Sequence, residues 1–308
     1  MNIKPLVLGV SSYSLEKNEI EILQKINPYG IILFSRNIQN KRQLKELISI
    51  LKTEIRSDLY ILVDQEGGSV QRLSTPEWRA YPNFKNIGDL YNKASEIALN
   101  FSYLMGRLIS NDLRLTDIDI NCSPCLDIRK EYTSNFLVNR LFSENSSIVS
   151  ELATQMIRGF RHENIIPIIK HIPGHGRAVD DSHYKLPTVK ASLKELLSDD
   201  FSSFKTLNYL PMAMTAHIIY SAIDIKPATI SQKTINFIRE KLIDNDSFKI
   251  ESQILDTFNR GIGVMLENNI IIMSKPYGVD YSVNFKFLED MTYISYTETL
   301  NILEQLDK

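Results

Sequence analysis

The chain has 308 residues, 43% hydrophobic and 23% charged, enough to bury a large core as one α/β barrel or as two ordinary domains, and this composition excludes intrinsic disorder. Its 35 Lys and Arg against 37 Asp and Glu give a net charge of −2 with no basic stripe, which argues against nucleic-acid binding. No apolar stretch approaches a bilayer-spanning length, and the run from Pro5 to Val10 is too short for a signal-peptide core, so it reads as the first strand of a cytoplasmic protein with no membrane partner.

Short apolar runs recur in chain order with helical segments between them: Pro5 to Val10, Gly30 to Phe34, Leu59 to Val63, Ile118 to Cys122, Ile165 to Ile169 and Met212 to Ala216. Alternating strand and helix predicts a parallel sheet. The helices between them carry apolar residues at helical spacing, as in Leu44, Leu47, Ile48, Leu51 and Ile55, or Ile97, Phe101, Leu104 and Leu108, and these faces are expected to cover the sheet. An eighth strand is expected at Ile270 to Met273. A seventh is expected between Phe248 and Leu255, where polar and apolar residues alternate instead of forming the continuous apolar run of a strand buried on both faces. The predicted fold is an α/β (β/α)8 barrel, irregular around the seventh strand, forming one domain over residues 1–308 with a divergent tail from 244. Polar residues follow the strand ends, at Ser35-Arg-Asn, Asp64-Gln-Glu-Gly-Gly, Lys170-His171 and His217, on the rim where barrel enzymes hold their active sites. No glycine-rich dinucleotide or phosphate loop follows any strand.

The stretch Lys170-His-Ile-Pro-Gly-His-Gly-Arg-Ala-Val-Asp-Asp-Ser-His183 holds three of the five histidines on a loop broken by Gly and Pro, directly after a strand. An Asp181-x-His183 pair there reads as an acid/base whose imidazole titrates near neutrality and is oriented by a carboxylate. Asp64 at a strand tip and Arg72 eight residues on suit a sugar clamp, since the carboxylate accepts from hydroxyls and the guanidinium donates in a fixed fork; a structural ion pair is the alternative. Lys170 and His171 are adjacent on a strand end, so at most one is expected to point fully inward unless the strand twists. His171 and His175 stand four apart, but Pro173 and Gly174 break the helix that would make them metal ligands, and no metal is expected. Cys122-Ser-Pro-Cys125 lacks two further soft ligands, so its cysteines read as small buried apolar residues. His217 reads as a packed rim residue supporting the loop.

Taken as an ordered set, Asp64-Gln-Glu-Gly-Gly-x-Val-Gln-Arg-Leu, Arg140-x-Phe-Ser-Glu, Lys170-His-x-Pro-Gly-His-Gly with Asp181-Ser-His183, Leu186-Pro and Met214-Thr-Ala-His-x-x-Tyr220 resembles the glycoside hydrolase family 3 β-N-acetylhexosaminidases of bacterial cell-wall recycling, over roughly residues 5 to 242. The resemblance implies a retaining exo-glycosidase that removes terminal β-linked N-acetylglucosamine, including from anhydro-muropeptides, with no metal or organic cofactor. A small carbohydrate is the implied partner, and the protein is expected to be a monomer. By matching positions, Asp64, Arg72, Arg140, Lys170 and His171 would bind the sugar hydroxyls. The Asp181/His183 dyad would protonate the leaving oxygen and then activate water.

The family's nucleophile motif, resembling Gly-Phe-x-Gly-Val-Ile-x-Ser-Asp-Asp-Leu, does not occur in this chain. Aligning after Ile238-Arg-Glu-Lys-Leu242 brings the nucleophile near Glu251, and aligning on Phe248 brings it beside Asp256, the preferred position; an N-cap or exposed turn is the competing reading of Asp256. Ser69 also stands where the family usually has a basic residue. Three readings follow: an active β-N-acetylglucosaminidase, a catalytically impaired sugar-binding relic, and a glycoside phosphorylase, for which a neutral histidine acid/base would repel phosphate less than a carboxylate.

Overall fold

Apolar runs of four to six residues alternate with amphipathic helices from the first residues onward. The computed structural model describes residues 3–180, 186–210, 212–242, 265–266 and 270–271. β1 (Lys4–Gly9), β2 (Pro28–Leu33) and β3 (Tyr60–Val63) follow one another, separated by α1 (Lys17–Ile26) and α2 (Lys41–Glu54). A hairpin of β4 (Gln65–Gly67) and β5 (Val70–Gln71) comes next, and α3 (Phe84–Tyr91) and α4 (Ser95–Arg114) then lead to β6 (Ile120–Asn121). α5 (Asn135–Val138) and α6 (Ser146–His162) precede β7 (Ile166–Pro167) and β8 (Ile169–Ile172). β9 (Thr188–Val189), α7 (Leu193–Ser198), α8 (Ser202–Thr206), β10 (Ala213–Thr215), β11 (Ile219–Tyr220) and α9 (Gln232–Lys241) follow, and β12 (Met265–Leu266) and β13 (Ile270–Ile271) come last.

β1, β2, β3, β6 and β7 form one sheet in that order, every pair parallel. β8 continues from β7 and pairs in parallel with β10, which pairs in parallel with β13. The segment between them is stitched to the preceding strand's end: the Ile168 N–H donates to the Asn121 carbonyl at 2.9 Å, and the Leu126 N–H to the Lys170 carbonyl at 2.7 Å. Val7, Ile32, Leu62, Ile120, Cys122, Ile168, Met212 and Met214, drawn from successive strands and their flanks, pack together as one apolar cluster. A second and larger cluster fills the space between the strands and the helices. Both cysteines are buried thiols, as expected of small apolar residues.

The expected strand at Ile270 to Met273 corresponds to β13 over its two described residues. The segment from Phe248 to Leu255 lies outside the described residues. β12, antiparallel to β13, was not expected from the sequence.

Helix ends follow local chemistry. The Asn40 side chain caps α2 by accepting from the Gln43 N–H, and Ser192 and Glu195 form a reciprocal capping box on α7. α2 buries Leu44, Leu47, Ile48 and Leu51, the face expected from its spacing. α4 does the opposite of what its spacing predicts. Ile97, Phe101, Leu104 and Leu108, expected against the sheet, are 61, 39, 53 and 44% exposed. The buried face is instead Ala98, Ser102, Met105, Gly106, Ile109, Ser110, Asp112 and Leu113. Close helix approach is the cause: a Cβ on Gly106 would fall 2.3 Å from the Met156 carbonyl oxygen of α6, and one on Gly159 would fall 2.4 Å from that of Tyr103. Small residues let the two backbones touch, and Ser102 Oγ donates across the seam to the Leu152 carbonyl at 2.7 Å. No described helix is long and apolar enough to cross a membrane.

Candidate active site

The polar residues that follow the strand ends converge on one another. β3 delivers Asp64, and two residues later, on the same side of the extended chain, Glu66 enters as well. The turn after it needs Gly67 and Gly68, whose φ values are 111° and 58°. Gln65 sets the return strand: its Oε1 accepts from the N–H groups of Arg72 at 2.9 Å and Leu73 at 3.0 Å. That brings Arg72 Nη2 to 3.2 Å from Asp64 Oδ2. From β8, Lys170 Nζ reaches Asp64 Oδ1 at 2.8 Å and Glu66 Oε1 at 2.6 Å. Arg140, after α5, donates to Glu66 from Nε at 3.0 Å and Nη2 at 2.8 Å in a two-pronged fork.

Of the adjacent Lys170 and His171, only Lys170 is fully buried; the His171 side chain stays 16% exposed. Lys170 joins the carboxylates of the β3 end, and His171 turns to Asp127, its Nδ1 lying 2.7 Å from Oδ2. Asp127 Oδ1 also accepts from the N–H groups of His171 at 3.1 Å and His175 at 2.7 Å. Three N–H donors hold Asp127 as an anion, and its carboxyl lies below the usual range despite burial. Burial pushes the His171 imidazole down, against the pull of Asp127.

The cluster is charge-balanced, with Asp64, Glu66 and Asp127 set against Arg72, Arg140 and Lys170. Burial alone would raise the Asp64 carboxyl, yet Lys170 and Arg72 hold it well below its ordinary range. Glu66, flanked by Arg140 and Lys170, is lowered to about 2. Lys170 is raised above its ordinary value by the two carboxylates, in spite of its burial. Lys170 and Glu66 are almost fully buried, whereas the Arg72 side chain is 26% exposed, so the lattice opens to solvent on the Arg72 side.

Cys125, Asp127 and His171 hold ligand-type atoms within 4.8 Å of one another. Their chemistry disfavours a cation: burial keeps the Cys125 thiol protonated, and the Arg140 guanidinium lies 3.7 Å from its sulfur.

The stem of the histidine-bearing loop is tightly held. Tyr220 Oη donates to the Gly174 carbonyl and Thr133 Oγ1 to that of Gly176, each at 2.6 Å. Arg177 binds Asp200 at 2.5 Å and Asp199 at 3.0 Å, and Lys130 pairs with the same Asp199. A Cβ on Gly176 would meet the Ile128 carbonyl oxygen at 1.8 Å. Asp181, His183, Glu251 and Asp256 lie outside the described residues. His217 is buried, burial lowers its imidazole to about 4, and its Nδ1 meets no partner among the described residues, consistent with a packed rim position.

Glu66 and Asp127 were not singled out in the sequence. For Glu66 the signal was there, since an acid two residues beyond Asp64 on an extended segment shares its side. Asp127 follows β6 in an irregular stretch without periodicity, and only its proximity to a strand end marked it.

Buried, charge-balanced carboxylates and cations thus gather at the carboxyl ends of parallel strands, beside the stem of a histidine-bearing loop. Residues 3–246 match the Glycosyl hydrolase family 3 N terminal domain, and the chain belongs to that family. The beta-hexosaminidase of Bordetella pertussis is 31% identical over 242 residues, 77% of this chain and 68% of that protein. The beta-hexosaminidase of Haemophilus influenzae is 32% identical over 273 residues, 88% of this chain and 75% of its own length. Among solved structures, NagZ from Neisseria gonorrhoeae in complex with N-trifluoroacetyl-D-glucosamine superposes with a TM-score of 0.77 at 26% identity, covering 95% of this chain and 86% of that one.

Proposed function

We propose that the chain is a retaining exo-β-N-acetylglucosaminidase that removes terminal β-linked N-acetylglucosamine from peptidoglycan fragments such as anhydro-muropeptides in the cytoplasm. The observation that carries this reading is the buried lattice of Asp64, Lys170, Glu66 and Arg140 with Arg72 at its open side. The names of the relatives, and the glucosamine derivative held by the Neisseria protein, support the choice of sugar. The strands close into a (β/α)8 barrel in one domain over residues 1–308, a reading supported by the apolar cluster shared among successive strands. The Haemophilus alignment covers 88% of the chain and therefore runs past residue 246, which supports a family-like continuation into the tail.

In this mechanism Asp64 accepts from sugar hydroxyls while Arg72, Arg140 and Lys170 donate to them, and His171 completes the sugar-binding set. The Asp181/His183 dyad, carried on the pinned stem, protonates the leaving oxygen. A carboxylate attacks the anomeric carbon, the glycosyl–oxygen bond to the leaving group breaks, and water activated by the same dyad hydrolyses the glycosyl-enzyme. Asp256 is the preferred nucleophile and Glu251 the alternative. A second reading, a sugar-binding relic with impaired turnover, is favoured by the missing nucleophile motif after Leu242. An aryl β-N-acetylglucosaminide separates the two: chromophore release that is abolished by His183→Ala supports the enzyme. N-acetylglucosamine binding without release supports the relic.

A further inference from the structure

The exposed face of α4 is an apolar surface that the site does not use. Ile97, Phe101, Leu104, Leu108, Asn111 and Leu115 follow one another at spacings of four, three, four, three and four, which is the seam of a two-helix coiled coil. The five apolar members are all solvent-exposed in a helix otherwise fixed on α6, and a contiguous apolar stripe of this kind marks an interaction surface. We propose that this face pairs with the same face of a second copy, the two α4 helices running antiparallel about a two-fold axis between Leu104 and Leu108.

Three observations favour a copy of this chain as the occupant. The stripe is self-complementary in antiparallel register: Leu104 packs on Leu108 of the partner subunit, Phe101 on the partner's Asn111, and Ile97 on the partner's Leu115, so all six seam positions find a partner at once. The charges on the flank agree with that register, because exposed Glu96 at one end comes opposite the partner's Arg114 at the other, twice over. Arg107, which falls near the axis, lies 3.0 Å from Glu163 of its own chain, a carboxylate it shares with Arg114 at 3.7 Å, so its charge is partly offset within its own subunit. The contact runs against the expectation of a monomer and is independent of the sugar-binding site.

Sedimentation velocity over a dilution series of the full chain is expected to show a monomer–dimer equilibrium. Leu104→Glu, at a position whose exposure removes any folding penalty, should raise the dissociation constant about thirty-fold or more while leaving the melting temperature of the monomer unchanged. Cysteine pairing tests the register. Ile97→Cys and Leu115→Cys proteins mixed under oxidation should form a crossed disulfide dimer, whereas each alone should not, because the two like positions would lie about 27 Å apart along the helices. A wild type that remains monomeric throughout overturns the proposal. So does a dimer indifferent to Leu104→Glu, or one in which Ile97→Cys cross-links to itself.

Discussion

Lys170 is the cation on which two buried carboxylates depend, and Lys170→Met is the sharpest single test of the lattice. The substitution keeps the stem and deletes the charge, leaving Asp64 with Arg72 alone and Glu66 with Arg140 alone. Removing one partner of a buried ion pair costs about 3–5 kcal/mol, because the remaining charge stays desolvated. With an unfolding entropy of about 2.1 cal/mol/K per residue, a chain of 308 residues changes its free energy by about 0.65 kcal/mol for each degree near the midpoint, so the melting temperature should fall by about 5–8 °C at pH 7. The pH dependence has a definite sign. The Glu66 carboxyl sits at about 2 in the folded protein, below its ordinary value, so its contribution is complete above the unfolded-state value and disappears as pH falls through about 2. Without Lys170 the two carboxylates take up protons at higher pH, and the gap between wild type and variant should therefore narrow steadily on acidification. Circular-dichroism melts of both proteins from pH 7 to pH 3 measure this. A midpoint within one degree of wild type at pH 7, or a gap that widens in acid, would refute the charge lattice.

Arg72→Ala should weaken N-acetylglucosamine binding by about 1–3 kcal/mol in calorimetry, with a smaller stability loss than Lys170→Met because Arg72 lies at the open side; unchanged affinity would dismiss it as a sugar ligand. Gly176→Ala must displace the loop stem from the Ile128 carbonyl, and turnover should drop about a hundredfold while sugar affinity holds. Full activity in that variant would mean that the stem does not position the acid/base. Asp181→Asn should fold normally and slow turnover by about 10²–10⁴-fold through a misoriented His183, and an unaffected rate would exclude the dyad.

The strands were readable because those buried on both faces must be apolar throughout, as in Gly30 to Phe34 and Leu59 to Val63. Asp64, Lys170 and His171 were readable because polar residues at such strand ends have little other reason to be there, and the structure brings them together with Arg72 and Arg140. Other features depended on contacts that periodicity does not encode. Apolar spacing on α4 announced a buried face, but Gly106, Ser102 and Ser110 won the buried side because only small residues allow the backbone of α6 so close. Asp127 escaped notice because its partners, the N–H groups of His171 and His175, come together only when β8 lies beside the segment after β6. The stretch from Phe248 to Leu255 offers no continuous apolar run, and the family's nucleophile motif is missing from the tail, so spacing alone left Asp256 and Glu251 in competition.

Hydrolysis of a chromogenic β-N-acetylglucosaminide by the wild type beside Asp256→Asn and Glu251→Gln tests the proposed activity most directly. A retaining glycosidase with its nucleophile at Asp256 releases chromophore as wild type and as Glu251→Gln but not as Asp256→Asn. A folded wild type that binds N-acetylglucosamine and releases nothing would contradict it.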